Sequence, residues 1–230
     1  MRLLSISILF LLVNIGAFAQ SGITSPEEFL GYELGTKFTR HHQVVDYFSL
    51  LEKESNGRMK VVQYGTTNEG RPLFTAILSS PENMDRLDEI RNNNLKRTGL
   101  LEGTAESMDI AFVCISYKVH GDEPVSTEAA LKTVHKLLDP SDAQSKEWLS
   151  NTVVIMDPCI NPDGRARYVQ FYSQFRQYPV NPHAEALSHN QQWPSGRTNH
   201  YLFDLNRDWV WQTQLETQQR LELYLSLIHI

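Results

Sequence analysis

The stretch that most constrains this chain is Asp109-Ile-Ala-Phe-Val-Cys-Ile-Ser-Tyr-Lys-Val-His120-Gly-Asp-Glu123-Pro124. It opens as a continuous apolar run with β-branched residues, the pattern of a central strand buried on both faces. It closes on His120 and Glu123, just ahead of Pro124, which suits the first turn of a helix. An imidazole and a carboxylate three residues apart, on a tight turn leaving a strand, can point at one centre. Nitrogen and oxygen ligands of a catalytic zinc site are presented in this way. Taken alone, the same spacing equally describes a structural ion pair or an exposed turn.

The amino terminus reads as an export signal over residues 1–19. Arg2 supplies the positive start, Leu3 to Ile15 the apolar core, and Ala17-Phe-Ala19 the small-x-small cleavage pattern before Gln20. The apolar run is too short for a bilayer span, so no membrane span is expected after cleavage, and the product is expected in the periplasm or outside the cell. The remainder, residues 20–224, is long enough for one sizeable core and one domain. The chain carries 21 Lys and Arg against 27 Asp and Glu with no basic run, which gives no electrostatic case for nucleic acid. Its 2 cysteines, Cys114 and Cys159, lie in apolar runs and read as small buried hydrophobes rather than a disulfide. The last six residues, Leu225-Ser-Leu-Ile-His-Ile230, match the translated end of a transposon used in preparing sequencing libraries. They read as a non-native tail on a truncated frame.

Between these ends, strand and helix patterns alternate. Ser25-Pro26-Glu27-Glu28 forms a capping box opening a short helix, and Val44, Tyr47, Phe48 and Leu51 recur at helical spacing until Asn56-Gly57. Met59 to Tyr64 and Leu73 to Leu78 read as an antiparallel pair, and Ser80-Pro81 opens a further helix. After Pro124 a helix is expected over Val125 to Leu138, another over Ser145 to Leu149, and a second buried strand over Thr152 to Ile160. Asn161-Pro-Asp-Gly164 reads as a turn shaping a loop beside the site. Residues 179–199 read as a long exposed loop, and Gln212 to Tyr224 as a polar helix. The fold class expected is α/β, with a mixed central β-sheet flanked by helices.

Four motifs in order sharpen this reading: Glu69-Gly70-Arg71-Pro72-Leu73, His120-Gly-Asp-Glu123, Asn161-Pro-Asp-Gly164 and Asp204-Leu-Asn206-Arg207. Together they resemble the zinc carboxypeptidase family, the carboxypeptidase A/B-like metallopeptidases, over most of residues 39–224. The resemblance implies a carboxypeptidase-like fold, incomplete on its C-terminal side. It implies Zn2+ as cofactor, held by His120 and Glu123, and peptide or protein C-termini as partners, with Asn206 and Arg207 taking the terminal carboxylate. That last role is sound chemistry, since a guanidinium offers two parallel donors to a carboxylate.

The family also aims an arginine at the developing oxyanion, and Arg165, Arg167 and Arg176 compete for that place. It uses a second histidine ligand and a catalytic glutamate downstream of the Asn-Arg motif. No stretch here resembles either, so no catalytic residue is assigned and the 230-residue chain alone is expected to be inactive. His135, His183, His189 and His200 read as surface or structural histidines, and His229 falls in the tail. Two other functions stay open on the sequence: a zinc amidase acting on cell-wall peptides or acyl-amino acids, and a catalytically silent module binding carboxylates or glycans.

Overall fold

In this computed structural model, residues 22–227 are described. The export signal of residues 1–19 and His229 therefore lie outside them. Helix α1 (Pro26–Leu30) starts where the Ser25 hydroxyl accepts the Glu28 N–H and stops at Gly31, whose φ of 71° suits a residue without Cβ. Helix α2 (His41–Glu54) turns its apolar face inward, with Val44, Tyr47, Phe48 and Leu51 fully buried.

Strand β1 (Met59–Thr66) then pairs antiparallel with β2 (Pro72–Leu78), from Met59 opposite Leu78 to Thr66 opposite Pro72. Helices α3 (Pro81–Asp85) and α4 (Leu87–Arg97) follow, where the sequence suggested a single helix. The break falls at Arg86, whose backbone (φ −118°, ψ 27°) leaves the helical region. Strand β3 (Ala111–Ser116), α5 (Val125–Leu138), α6 (Ala143–Ser150), β4 (Thr152–Asp157) and α7 (Pro162–Phe175) alternate as expected. A short 3-10 turn at Leu187–His189 interrupts the long polar loop, and α8 (Leu215–Leu227) closes the described chain. Residues 225–227 thus continue a helix.

The sheet has the order β1-β2-β4-β3, with β3 and β4 parallel and the other pairs antiparallel. Helices α2 and α5 bring Tyr47, Phe48, Leu131, Val134 and Leu138 onto one face of it, where they join Ala76, Leu78, Val154 and Met156. A smaller cluster of Ile77, Ile90, Val153 and Ile155 lies on the other face.

One expectation fails here. β3 was read as central and buried on both faces, yet among the described residues it lies at the edge of the sheet, with Val113 41% exposed and Cys114 also exposed. Its only partner among the described residues is β4, so apolar composition alone did not reveal its place. β2 and β4 are the strands with neighbours on both sides, and from Val153 to Asp157 every residue of β4 is buried. Both cysteines are free, and only Cys159 is buried.

Candidate metal corner and the polar clusters beside it

The two parallel strands leave the sheet side by side, and their exits are stitched together. Tyr117 donates its N–H to the Asp157 carbonyl, while Ile160 and Asn161 donate theirs to the Tyr117 and Lys118 carbonyls, at 2.9, 3.0 and 3.1 Å. Lys118 takes a left-handed backbone (φ 64°) and buries all but 2% of its surface. Its Nζ donates to the Glu123 carbonyl oxygen. Burial, with the Arg165 guanidinium as the next contributor, lowers the Lys118 ammonium from 10.5 to about 7. Gly121 and Gly164 meet backbone to backbone, so a Cβ on either would run into the other turn or into the Gly196 carbonyl. The glycines of two motifs are therefore there for one close approach.

On this turn His120 and Glu123 converge. His120 Nδ1 lies 2.7 Å from Glu123 Oε1, and its Nε2 lies 3.1 Å from Asp204 Oδ1. The ring is 6% exposed, whereas the Glu123 side chain is 53% exposed. Asp204 is anchored twice more: Oδ1 accepts the Asn206 N–H at 3.0 Å, and Oδ2 accepts Arg197 Nη2 at 2.9 Å. Burial alone would raise the Asp204 carboxyl, but the bonds from Arg197 and the Asn206 N–H hold it below its ordinary value. A carboxylate so held accepts Nε2–H, a tautomer assigned from this hydrogen-bond pattern. The neutral ring then presents a lone pair at Nδ1 towards Glu123 Oε1. Two acceptors at that distance need a proton or a cation between them. The pair therefore fits half of a zinc donor set, with the carboxylate behind the histidine that such ligands usually have.

Asp204 is the functional residue that the sequence reading missed, although it stood in a quoted motif. The available signal was the second nitrogen of His120, since a ligating imidazole needs an acceptor behind it.

Asn206 and Arg207 sit in a 3-10 turn (Leu205–Arg207), both exposed. Arg207 Nη1 touches only the Asn206 carbonyl, at 3.3 Å, and Arg207 makes no ion pair among the described residues. Asp208, a possible partner, is occupied by Thr213 and Gln214. Neither Asn206 nor Arg207 hydrogen-bonds His120 or Glu123 through its side chain, and Asp204 is the link between the two groups.

The three candidate oxyanion arginines are redistributed. Arg165 is fully buried, bonded to Glu128 Oε1 at 2.6 Å and to the Pro124 and Thr39 carbonyls. Arg167 is bound to the Ser195 and Asn199 carbonyls at 2.7 and 3.0 Å. Both hold the fold together, so neither is free for a substrate. Arg176 is the exposed residue ending α7. The Asn161-Pro-Asp-Gly164 stretch is likewise corrected: it begins α7, with Asn161 Oδ1 accepting the Gly164 N–H at 2.9 Å and Pro162 in the first turn.

A second cluster accounts for the Glu69-Gly-Arg-Pro motif. Arg71 Nη1 bridges Glu69 Oε2 at 2.5 Å and Asp163 Oδ1 at 2.6 Å. Thr67 Oγ1 donates to the same Asp163 oxygen at 2.7 Å. His200 Nδ1 lies 3.1 Å from Glu69 Oε1, which makes His200 structural as expected. His135 Nε2 faces the Ile23 carbonyl at 3.3 Å.

The zinc carboxypeptidase family model matches residues 44–223. Among solved structures, thrombin activatable fibrinolysis inhibitor is similar at 9% identity and a TM-score of 0.50, over 87% of this chain and 45% of that one. A metallo-carboxypeptidase from Burkholderia cenocepacia is similar at 16% identity and 0.47, over 81% and 36%. Carboxypeptidase A from Helicoverpa armigera is similar at 17% and 0.45, over 81% and 42%. At 9% identity the first of these likenesses speaks for the fold alone, and the chain spans less than half the length of each of the three. The match over residues 44–223 carries the membership: this chain belongs to the zinc carboxypeptidase family.

Proposed function

We propose that the protein is an exported zinc metallocarboxypeptidase that hydrolyses peptide bonds at substrate C-termini. The observation that carries this reading is the His120 ring, with Glu123 Oε1 at Nδ1 and Asp204 at Nε2. When bound, zinc supplies Lewis acidity at the scissile carbonyl and a water whose pKa is lowered towards neutrality. His120 Nδ1 and Glu123 Oε1 would be two of its donors, and Asp204 fixes the ring that carries the first. No described residue is assigned as the third ligand or as the general base.

Asn206 and Arg207 offer exposed donors for a terminal carboxylate, and Arg207 has no competing ion pair among the described residues. Arg197, half-exposed and already positioned by Asp204, is the arginine we assign to the developing oxyanion in place of Arg165 or Arg167. Export rests on the pattern of residues 1–19. No helix among the described residues is long and apolar enough to cross a membrane.

The test uses the protein expressed from its complete gene, metal-depleted and then restored with zinc. Hydrolysis of N-acylated dipeptides is expected to fall by at least 100-fold in His120→Ala and in Glu123→Ala, in line with loss of a metal-held centre. Unchanged turnover in either variant overturns the assignment. Parallel assays on acyl-amino acids and muropeptides separate a peptidase from an amidase. Binding without turnover of any of the three would identify a silent binding module.

A further inference from the structure

Lys118 is an unusual choice for its position. At φ 64° a side chain is disfavoured and glycine is the undemanding residue, yet a lysine stands there with 2% of its surface exposed. Such a conformation persists where the surroundings hold it, and it tends to mark a working site. Burying an ammonium is costly unless it is paired, and Lys118 forms no ion pair among the described residues. The nearby buried carboxylate, Glu128, gives its Oε1 to Arg165 Nη2 at 2.6 Å and to the Thr39 N–H at 2.7 Å, and its Oε2 makes no hydrogen bond to Lys118 or to any other described residue. The Tyr168 ring, 5.9 Å from Nζ, offers only a weak additional contact. The ammonium is directed instead at one backbone atom, the carbonyl oxygen of Glu123.

That carbonyl has no need of a further donor for its own sake. Ser126 Oγ already donates to it at 3.0 Å and the Ser126 N–H at 3.5 Å. The Lys118 backbone, in turn, is fastened to the neighbouring strand exit by the Asn161 N–H. The side chain is therefore a strut running from the sheet to the peptide that carries Glu123, a residue whose own side chain is more than half exposed.

We infer that Lys118 is a positioning residue for Glu123, holding its peptide so that Oε1 reaches the same centre as His120 Nδ1. This rests on the reading of His120 and Glu123 as zinc donors. In mechanism it is a partner one shell removed from the metal, reaching the donor through the main chain instead of through the ligating atom.

The test is Zn2+ affinity, measured by competition with a chromophoric chelator on the wild-type protein, His120→Ala, Lys118→Met and Lys118→Gln. The metal-free melting temperature of each is recorded alongside. Lys118→Met is expected to bind Zn2+ about tenfold more weakly, as is usual for loss of an outer partner. Its metal-free melting temperature should be unchanged or higher, because a thioether of similar length avoids desolvating a charge and Ser126 still satisfies the carbonyl. Lys118→Gln, with an N–H donor on a shorter arm, should lose less. Wild-type affinity in Lys118→Met overturns the inference. So does an affinity loss that comes with a lower melting temperature, or an equal loss in the two variants. If Lys118→Met does not fold, Lys118→Gln is read against the wild type by the same criteria. If the wild type and His120→Ala bind Zn2+ alike, the metal reading itself has failed, an outcome distinct from all of these.

Discussion

Two polar clusters lie beyond the strand ends, and each contains one histidine and two carboxylates. In the first, His120 stands between Glu123 and Asp204. In the second, Glu69, Asp163 and His200 bring their ligating atoms within 4.8 Å of one another. By ligand count the second is the better metal site. Charge says the reverse. Arg71 sits inside that cluster, bonded to both carboxylates, so the position a cation would take is already held by a guanidinium. At the His120 corner the cations lie to the side: Arg197 is bonded to Asp204 and Lys118 to the Glu123 main-chain carbonyl, and among the described residues none is bonded to Glu123 Oε1. Donor type and proximity nominate both clusters, and only the accounting of charge separates a site from a clasp.

The largest expected effect tests the clasp. Arg71→Leu strips its guanidinium from Asp163, whose side chain is fully buried, leaving it with Thr67 and a weak bond from the Glu69 N–H. Breaking a buried pair in this way costs about 3–5 kcal/mol. In a chain of this size that lowers the melting temperature by roughly 6–20 °C. Glu123→Gln, at an exposed position of the corner, should stay within about 1 kcal/mol of wild type. Calorimetry giving equal losses for the two would break the comparison.

A slightly smaller effect comes from His41, which stands next to the clasp with Nε2 on the Pro72 carbonyl at 2.8 Å. Burial, with the Arg71 and Arg165 charges, lowers its pKa from 6.5 to about 4, against the opposing pull of the Pro72 carbonyl and Asp163. The folded state therefore favours the neutral ring. As pH falls from 6.5 towards 4 the unfolded chain binds the proton first, and stability is lost across that window. The full change is of the order of 3 kcal/mol. Denaturant unfolding at pH 4 and pH 7 should show a stability difference in the wild type that His41→Gln reduces by about that amount. An identical pH dependence in the two would mean the ring is not buried neutral.

How legible all this was in the sequence depends on how far apart the partners lie. Helices α2 and α5 could be read from spacing, because their apolar faces recur within a few turns. The His120–Glu123 pair was legible for the same reason, three residues on one turn. Asp204 was not, since it stands 84 positions further along the chain from His120. β3 was misplaced because an apolar run records a strand but not its neighbours, and burial on both faces depends on neighbours. Glu69-Gly-Arg-Pro could be recognised as a motif, yet its purpose lies in Asp163, brought to it by the start of α7. The Asn161-Pro-Asp-Gly stretch carries turn residues that serve equally well as a helix cap, and local chemistry alone does not decide between the two.

Zinc itself offers a smaller and more direct discrimination. At a free concentration ten times the dissociation constant, binding to the native state alone adds about 1.4 kcal/mol, a rise of roughly 3–6 °C. The rise should survive in His200→Ala and vanish in His120→Ala. The opposite pattern would place the metal in the clasp and invert the comparison.

The smallest expected change in stability belongs to Asp204→Asn, and it is the most informative about the corner. The amide oxygen can still accept from His120 Nε2 and from the Asn206 N–H, so the loop should hold and stability should move by less than about 1 kcal/mol. What disappears is the charge. A neutral acceptor orients the ring without a charge behind Nε2, and it no longer pairs with Arg197. Zinc affinity should therefore fall by about tenfold, the usual cost of removing the partner behind a ligating histidine, while the melting temperature without metal barely moves. An affinity equal to wild type would mean that Asp204 only shapes the loop. The contrast with the clasp would then rest on Arg71 alone.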